Sequence, residues 1–318
     1  MKFLTAFFRL IRWPNLLFIA LTQSLFYYCI ILPALPASYA SLPHAFTYRL
    51  FYLLAAASIL IAAGGYIIND YFDINIDRVN KPGKMVVEKI IYRRWAILWH
   101  LIVTTLGVAI SLYVSVQTNL VIIAGNIVCT ALLWFYSTTF KKKLLAGNLI
   151  IAALMSWTII VLYVAVNTRF FSSRILPGEV YTAMQRIYKY AVLYAGFAFI
   201  ISLIREVVKD IEDMEGDEKY GCQTIPIVWG VPAAKVFAGV WMTVLIGSLS
   251  VLDVYVLQLG WWLSFVYVFL FLIAPLCFIF YRFYKAQSTA EYRLLSGWIK
   301  AVILMGIVSM LFFRFYSF

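Results

Sequence analysis

Long apolar runs, each about the width of a bilayer, alternate with short polar connections along almost the whole chain. A helix needs ~20 apolar residues to cross the hydrocarbon core, and nine runs approach that length. They lie at 14–33, 50–69, 95–115, 119–136, 146–166, 188–205, 225–250, 261–281 and 296–316. Inside lipid a helix satisfies its own backbone hydrogen bonds, so the pattern predicts an all-α, polytopic membrane protein with nine transmembrane helices. Residues 1–12 read differently. Phe3, Phe7, Phe8 and Ile11 oppose Lys2 and Arg9, as in a short helix lying in the membrane surface. The basic start, the apolar run and Ala-Ser-Tyr-Ala at 37–40 superficially match a cleaved leader. The stretch from Leu16 to Leu35 is long for a leader core, which predicts a retained first span. Residues 1–318 are therefore treated as one integral-membrane domain.

Composition agrees with the pattern. The chain is 64% hydrophobic with 13% charged residues, against ~25% charged in soluble domains; its mean hydropathy is +0.90. With the N-terminus placed in the cytoplasm, 20 of the 26 Lys and Arg residues fall on the cytoplasmic side. Arg49, Arg169, Arg174, Arg186, Lys189 and Arg314 remain opposite. This is the positive-inside asymmetry, and it predicts a multi-pass protein of the cell membrane. The net charge of +12 then reads as topology and contact with anionic lipid; no zinc-finger spacing or soluble basic domain points to nucleic acid. Cys29, Cys129, Cys222 and Cys277 lack CxxC spacing, and most of them read as small buried residues. His44 and His100 are isolated and suggest neither a metal site nor a catalytic triad.

Acidic residues change the picture. The chain has only 14, and ten lie in two short segments. The first is Asn69-Asp70-x-x-Asp73-x-x-x-Asp77; the second contains Glu206, Asp210, Glu212, Asp213, Glu215, Asp217 and Glu218. Both contain Asp-x-x-Asp-x-x-x-Asp. On a helix turning ~100° per residue this spacing places the three carboxylates on one face, where they repel unless cations lie between them. Magnesium takes hard oxygen ligands and commonly joins a few carboxylates to substrate phosphates. The candidate catalytic and metal-binding set is Asp70, Asp73, Asp77, Asp210, Asp213 and Asp217, with Asn69 as a further ligand and Glu206 at its edge. Glu212, Glu215 and Glu218 are expected to be solvated or to pair with Lys209 and Lys219. The bland alternative is a solvated helix end whose acids are offset by Arg78 and Lys81. It suits one cluster better than two of equal pattern on one side of a nearly acid-free chain.

Basic residues beside these segments are candidate diphosphate ligands: Lys81, Lys84, Arg205, Lys141 and Lys142, together with Asn69. Individually each reads as a topology anchor. As a set near two acidic strips they suit a diphosphate held by metal and cations together. The first pattern follows the second span and its copy, 140 residues later, follows the sixth. Both lead into basic loops containing Gly and Pro, Arg78 to Lys84 and Lys219 to Pro226. The repeat predicts two four-helix halves facing each other across a central cavity, plus a ninth helix. Among the abundant aromatic residues, Tyr66, Trp134, Tyr136 and Tyr194 are candidates to line such a cavity and stabilise a cation. Neutralising a prenyl diphosphate in an apolar cavity makes diphosphate a leaving group and exposes an allylic carbocation to a hydroxyl or an electron-rich ring.

These residues resemble the UbiA superfamily of intramembrane prenyltransferases. Asn69-Asp70-x-x-Asp73-x-x-x-Asp77 matches its first aspartate-rich motif, and Asp213-x-x-x-Asp217 preceded by Asp210 matches its second. Tyr136-Ser137, Lys141-Lys142 and Gly147-Asn148 look like its third signature, with looser Tyr-to-Lys spacing. The resemblance implies a nine-helix fold, Mg²⁺ dependence, and Tyr136, Asn148 and Tyr66 as cavity or acceptor residues. The run Arg205 to Asp217, then Gly221 and Thr224-Ile-Pro226, is most similar to the geranylgeranylglycerol-phosphate geranylgeranyltransferase branch. That branch joins a second isoprenoid chain to glycerol as an ether, which implies geranylgeranyl diphosphate and a lipid acceptor. Where it usually continues with a basic residue and Pro, this chain has Lys84-Met85-Val86, which keeps an aromatic, quinone-precursor acceptor open. Two other classes stay in view. CDP-alcohol phosphotransfer uses paired aspartates, but its Asp-Gly-x-x-Ala-Arg core is absent. A divalent-cation transporter would place its carboxylates near mid-membrane on broken helices, not beside basic loops at helix ends.

Overall fold

The computed structural model describes residues 2–42, 44–83, 85–167 and 177–316. Lys84, Arg169 and Arg174 lie outside the described residues. Among those described there is no β-strand, only an isolated bridge between Val87 and Ile91. Among the described residues, nine helices are long and apolar enough to cross a membrane: Trp13–Ala34, Tyr48–Phe72, Arg93–Gln117, Val121–Thr138, Ala146–Val166, Gly178–Glu212, Gly230–Gln258, Trp262–Lys285 and Thr289–Arg314. The expected all-helical, nine-span architecture is what the structure has. Several helices outrun their hydropathy signal. The sixth starts at Gly178, ten residues ahead of the apolar run, and carries Glu179, Arg186 and Lys189. Intrahelical hydrogen bonds do not require apolar side chains, so a helix continues into the polar interface where hydropathy falls. The ninth starts at Thr289 because Ser288 and Glu291 form a reciprocal capping box there.

Proline shapes two spans in the same way. The first passes through a π-helical stretch at Phe26–Ile31 before Pro33, and the eighth through one at Phe269–Ile273 before Pro275. Proline removes one N–H and crowds the carbonyl four residues earlier; widening the preceding turn relieves both effects.

The chain forms two compact units. The first comprises residues 1–140 and 157–193. Its second span packs closely on the third at Gly64 and on the fourth at Gly65. A Cβ on Gly64 would collide with Thr104 Oγ1, and one on Gly65 with the Leu133 side chain. Small residues at such crossings let backbones approach in lipid, and His100 Nδ1 here lies 2.9 Å from the Gly64 carbonyl oxygen. The surface helix Lys2–Leu10 packs its inner face, Ala6 and Leu10, against Ile67, Ile74, Val86 and Ile91. Those partners flank the first acidic segment. Tyr39 closes the segment after the first span, donating to Val166 O at 3.0 Å and accepting from the Phe46 N–H at 2.9 Å.

The second unit comprises residues 141–156 and 194–318. Its core joins the sixth span, through Ile204, Val208 and Ile211, to Ile225 and to the last three spans. On the seventh span the buried residues Ala234, Ala238, Met242, Leu245 and Leu249 recur at three- or four-residue intervals, the period of one helix face. No disulfide forms among the described residues; Cys29, Cys129 and Cys222 are buried, whereas Cys277 is exposed.

Candidate active site

The first acidic segment sits where the second span ends. Asp73 leaves the helical conformation at φ −84°, ψ 0°, and separates Tyr48–Phe72 from the short helix Ile74–Asn80. The sequence spacing assumed an unbroken helix. The structure inserts a break, yet the backbone ladder runs through it. Asp73 N donates to Asn69 O at 2.9 Å, Asp77 N to Asp73 O at 2.8 Å, and Lys81 N to Asp77 O at 2.9 Å. Asn69, Asp73, Asp77 and Lys81 thus follow one another along a single ladder. Asn69 Nδ2 also donates to Asp73 Oδ2 at 2.7 Å, and both side chains are buried.

The second acidic segment, in the other unit, is built the same way. Asp213 breaks the helix at φ −95°, ψ 5°, ahead of Met214–Lys219. Asp213 N donates to Lys209 O at 2.9 Å and Asp217 N to Asp213 O at 3.2 Å. In each segment the middle aspartate occupies the break and the third lies one ladder step beyond. An amide side chain holds a carboxylate here too: Asn148 Nδ2 donates to Asp210 Oδ2 at 2.7 Å. Asn148, expected from the resemblance to line a cavity or touch acceptor, is therefore a direct partner of the second motif.

Charges around the segments pair in ways the spacing does not reveal. Arg12 Nη2 reaches Asp70 Oδ1 at 2.6 Å, and its guanidinium lies 5.2 Å from the centroid of the Tyr66 ring. Burial disfavours this cation, but the adjacent Asp70 outweighs it and raises the Arg12 pKa. Arg78, a candidate to offset the first segment, instead pairs with Glu88, which also accepts from Arg93 Nε at 3.0 Å. Arg205 Nη1 pairs with buried Glu206 at 3.0 Å, and Lys209 approaches Glu206 at 4.0 Å. Glu212, expected to be solvated or to pair with Lys209 or Lys219, accepts from Arg293 Nε at 2.9 Å. The loop carrying Lys141 and Lys142 is tied to the segment beyond the second motif, Gln223 N donating to Lys142 O at 2.9 Å. Tyr136 is half-buried near the end of the fourth span, and Tyr194 is buried with its hydroxyl 3.0 Å from Ser309 Oγ. In the sequence Arg12 is one of the 26 basic residues, with no acidic residue near it in the chain. Its signal was its position between the surface helix and the first span, but nothing local named its partner.

Among the described residues no three or more His, Cys, Asp or Glu side chains gather closely enough to hold a metal by themselves. Magnesium does not need such a cage, since one or two carboxylates plus substrate phosphates suffice. The donor set fits it. Buried Asn69 Oδ1 has no hydrogen-bond partner and is a hard oxygen beside Asp73. Arg205 Nε is likewise buried without an acceptor, as an anion ligand would be.

Nine candidate spans and two matching carboxylate-bearing helix breaks, all among the described residues, define a polytopic helical membrane protein. The model of the UbiA prenyltransferase family matches residues 30–314, and the chain belongs to that family. It is similar to the digeranylgeranylglyceryl phosphate synthase of Methanosphaera stadtmanae, 29% identical over 85% of this chain and 89% of the relative. The synthase of Methanothermobacter thermautotrophicus is 32% identical over 64% of each chain. Among solved structures, that of a digeranylgeranylglyceryl phosphate synthase superposes with a TM-score of 0.61 at 22% identity, covering 98% of this chain and 99% of the other. A UbiA homologue from Archaeoglobus fulgidus, bound to GPP and Mg²⁺, gives 0.58 at 15% identity, covering 96% and 99%. The structural likenesses speak for the fold, and the chain is a multi-pass membrane prenyltransferase.

Proposed function

We propose that this prenyltransferase moves a geranylgeranyl group from geranylgeranyl diphosphate to the free hydroxyl of geranylgeranylglyceryl phosphate, forming an ether lipid and releasing diphosphate. The observation that carries the reading is the repeated helix break, with Asp73 and Asp213 in the same backbone conformation and a third aspartate one ladder step on. Equal local construction at two sites 140 residues apart points to equal chemistry. The names of the curated relatives support the acceptor.

Asp70, Asp73 and Asp77 with Asn69, and Asp210, Asp213 and Asp217, would hold Mg²⁺. When bound, Mg²⁺ neutralises diphosphate and improves it as a leaving group. Lys81, Lys84, Arg205, Lys141 and Lys142 take the remaining diphosphate charge; the buried Nε of Arg205 supports its part. The allylic C–O bond breaks with its electron pair leaving on diphosphate. The acceptor oxygen bonds to the allylic carbon, and its proton passes to the released diphosphate. Asn69 and Asn148 fix the carboxylates they contact. Tyr66, Tyr136 and Asn148 are the residues we assign to the walls on the acceptor side. The basic-residue asymmetry puts the N-terminus and both aspartate segments on the cytoplasmic side of the cell membrane.

The acceptor is tested with purified protein in lipid nanodiscs, given geranylgeranyl diphosphate and Mg²⁺ with either geranylgeranylglyceryl phosphate or an aromatic acid. Mass spectrometry should find the ether lipid. Product from the aromatic acid alone would reassign the acceptor, and product from neither would overturn the proposal.

A further inference from the structure

A helix break is a point where the chain can pivot, and whatever fixes it decides where its aspartate points. The break at Asp213 is tied on both sides. Beyond it, Cys222 N donates to Asp217 O and Gln223 N to Lys142 O, both at 2.9 Å, and Ile225 is buried in the core of the second unit. Ahead of it stands Glu212, the last residue of the sixth span. Its side chain is only 9% exposed, and Arg293 Nε donates to its Oε1 at 2.9 Å across 81 residues of sequence. A nearly buried carboxylate is costly unless a cation meets it, so Glu212 turns to Arg293 and the helix end turns with it. Arg293 is placed by its own helix. The Ser288–Glu291 capping box starts the ninth span just before it, and buried Tyr292 beside it donates to Ala286 O at 2.9 Å. The first unit has a like device: Arg78, the residue after Asp77, pairs with Glu88, which also accepts from Arg93 at the start of the third span.

We infer that Arg293 is a positioning residue for the second motif, holding Glu212 so that the break aims the Asp213 carboxylate at the metal. Glu212 is the last helical residue and Asp213 is the break itself, so a rotation at one passes to the other through a single planar peptide unit. Position and charge make opposite demands here. Removing a positive charge near a cation site favours the cation, whereas releasing Glu212 from Arg293 lets the break turn and costs the metal a well-aimed ligand. This inference rests on the proposed metal-binding role of the second segment.

The test measures Mn²⁺ binding by electron paramagnetic resonance on the full-length protein in nanodiscs. The probe is added with the thiolo analogue of geranylgeranyl diphosphate, a poor prenyl donor. Arg293→Met keeps the aliphatic stem and loses the cation. It should weaken Mn²⁺ binding about three- to tenfold, less than the ~10- to 100-fold typical of a group that bonds a metal ligand directly. Tighter binding would overturn the inference, since Arg293 would then act by its charge alone. Glu212→Gln should weaken binding to a similar extent, and the double variant should fall within about twofold of the weaker single. Losses that multiply would also overturn it, because Arg293 would then act independently of Glu212. Thermal unfolding in the same nanodiscs separates a purely structural role: a lower midpoint with unmoved Mn²⁺ affinity in Arg293→Met counts against the inference. Asp213→Asn is the control for the metal reading. If the parent binds no Mn²⁺, or Asp213→Asn binds it like the parent, that reading fails and the inference falls with it. If Asp213→Asn weakens binding and Arg293→Met does not, the inference alone fails.

Discussion

The side-chain amide of Asn148 donates to Asp210 at 2.7 Å across 62 residues of sequence, and both groups belong to the same compact unit. Asn148 opens the fifth span and Asp210 closes the sixth. The bond gives a carboxylate near the C-terminal end of a long helix one defined orientation. Partners that orient a metal ligand are typically worth 10- to 100-fold in affinity or activity. Asn148→Ala is therefore expected to lower kcat/KM by about 10- to 100-fold. Asn148→Asp should be worse, because it sets two carboxylates against each other. Steady-state kinetics on both variants, with geranylgeranyl diphosphate varied, decides this. Parent-like values would remove Asn148 from the site.

Close approach of the second and third spans depends on Gly64. A methyl group there already meets Thr104, with His100 next to it, and a valine adds two more carbons. Gly64→Val is expected to destabilise the first unit by about 1–3 kcal/mol, the usual range for overpacking. Thermal unfolding in nanodiscs should show a lower midpoint, whereas Gly196→Ala, which meets nothing within 4 Å, should not.

Tyr39 gives a pH dependence. Burial raises its phenol from 10.0 to about 12, opposed in part by the Phe46 N–H it accepts. Sign follows from linkage. Above the unfolded pKa the unfolded chain releases a proton that the folded chain keeps, so the stability it adds is complete below pH ~10 and declines as pH rises toward ~12. Tyr39→Phe should remove that part of the alkaline loss while costing stability at neutral pH, because the Val166 carbonyl and the Phe46 N–H both lose their partner. Unfolding midpoints of parent and variant across pH 8–12 check it. Parallel curves would show that Tyr39 carries none of the dependence.

Legibility in the sequence divided along physical lines. The nine spans could be read because each must exclude polar residues over a bilayer width, a constraint written locally at every position. Their ends could not, since helix continuation at Gly178 and at Thr289 depends on backbone bonds and a Ser288–Glu291 cap that hydropathy does not register. Both acidic segments were visible because acids are scarce here. Their breaks at Asp73 and Asp213 were hidden, as the three-and-four spacing suits an unbroken helix equally well. Hidden too were the partners: Arg12 for Asp70, Asn148 for Asp210, Arg293 for Glu212. Each joins residues far apart in the chain, and nothing in the local pattern marks the two ends as belonging together.

The central proposal is that prenyl transfer requires Mg²⁺ and each of the two helix-break aspartates, Asp73 and Asp213. Diphosphate release from geranylgeranyl diphosphate, in the presence of geranylgeranylglyceryl phosphate, tests it most directly when Asp73→Ala, Asp213→Ala and the parent are run with Mg²⁺ and with EDTA. We expect the parent to lose activity in EDTA and recover it on adding Mg²⁺, and each variant to fall at least about 100-fold, the scale on which removing a group that stabilises leaving-group charge is felt. Full activity in either variant, or in EDTA, would contradict the account.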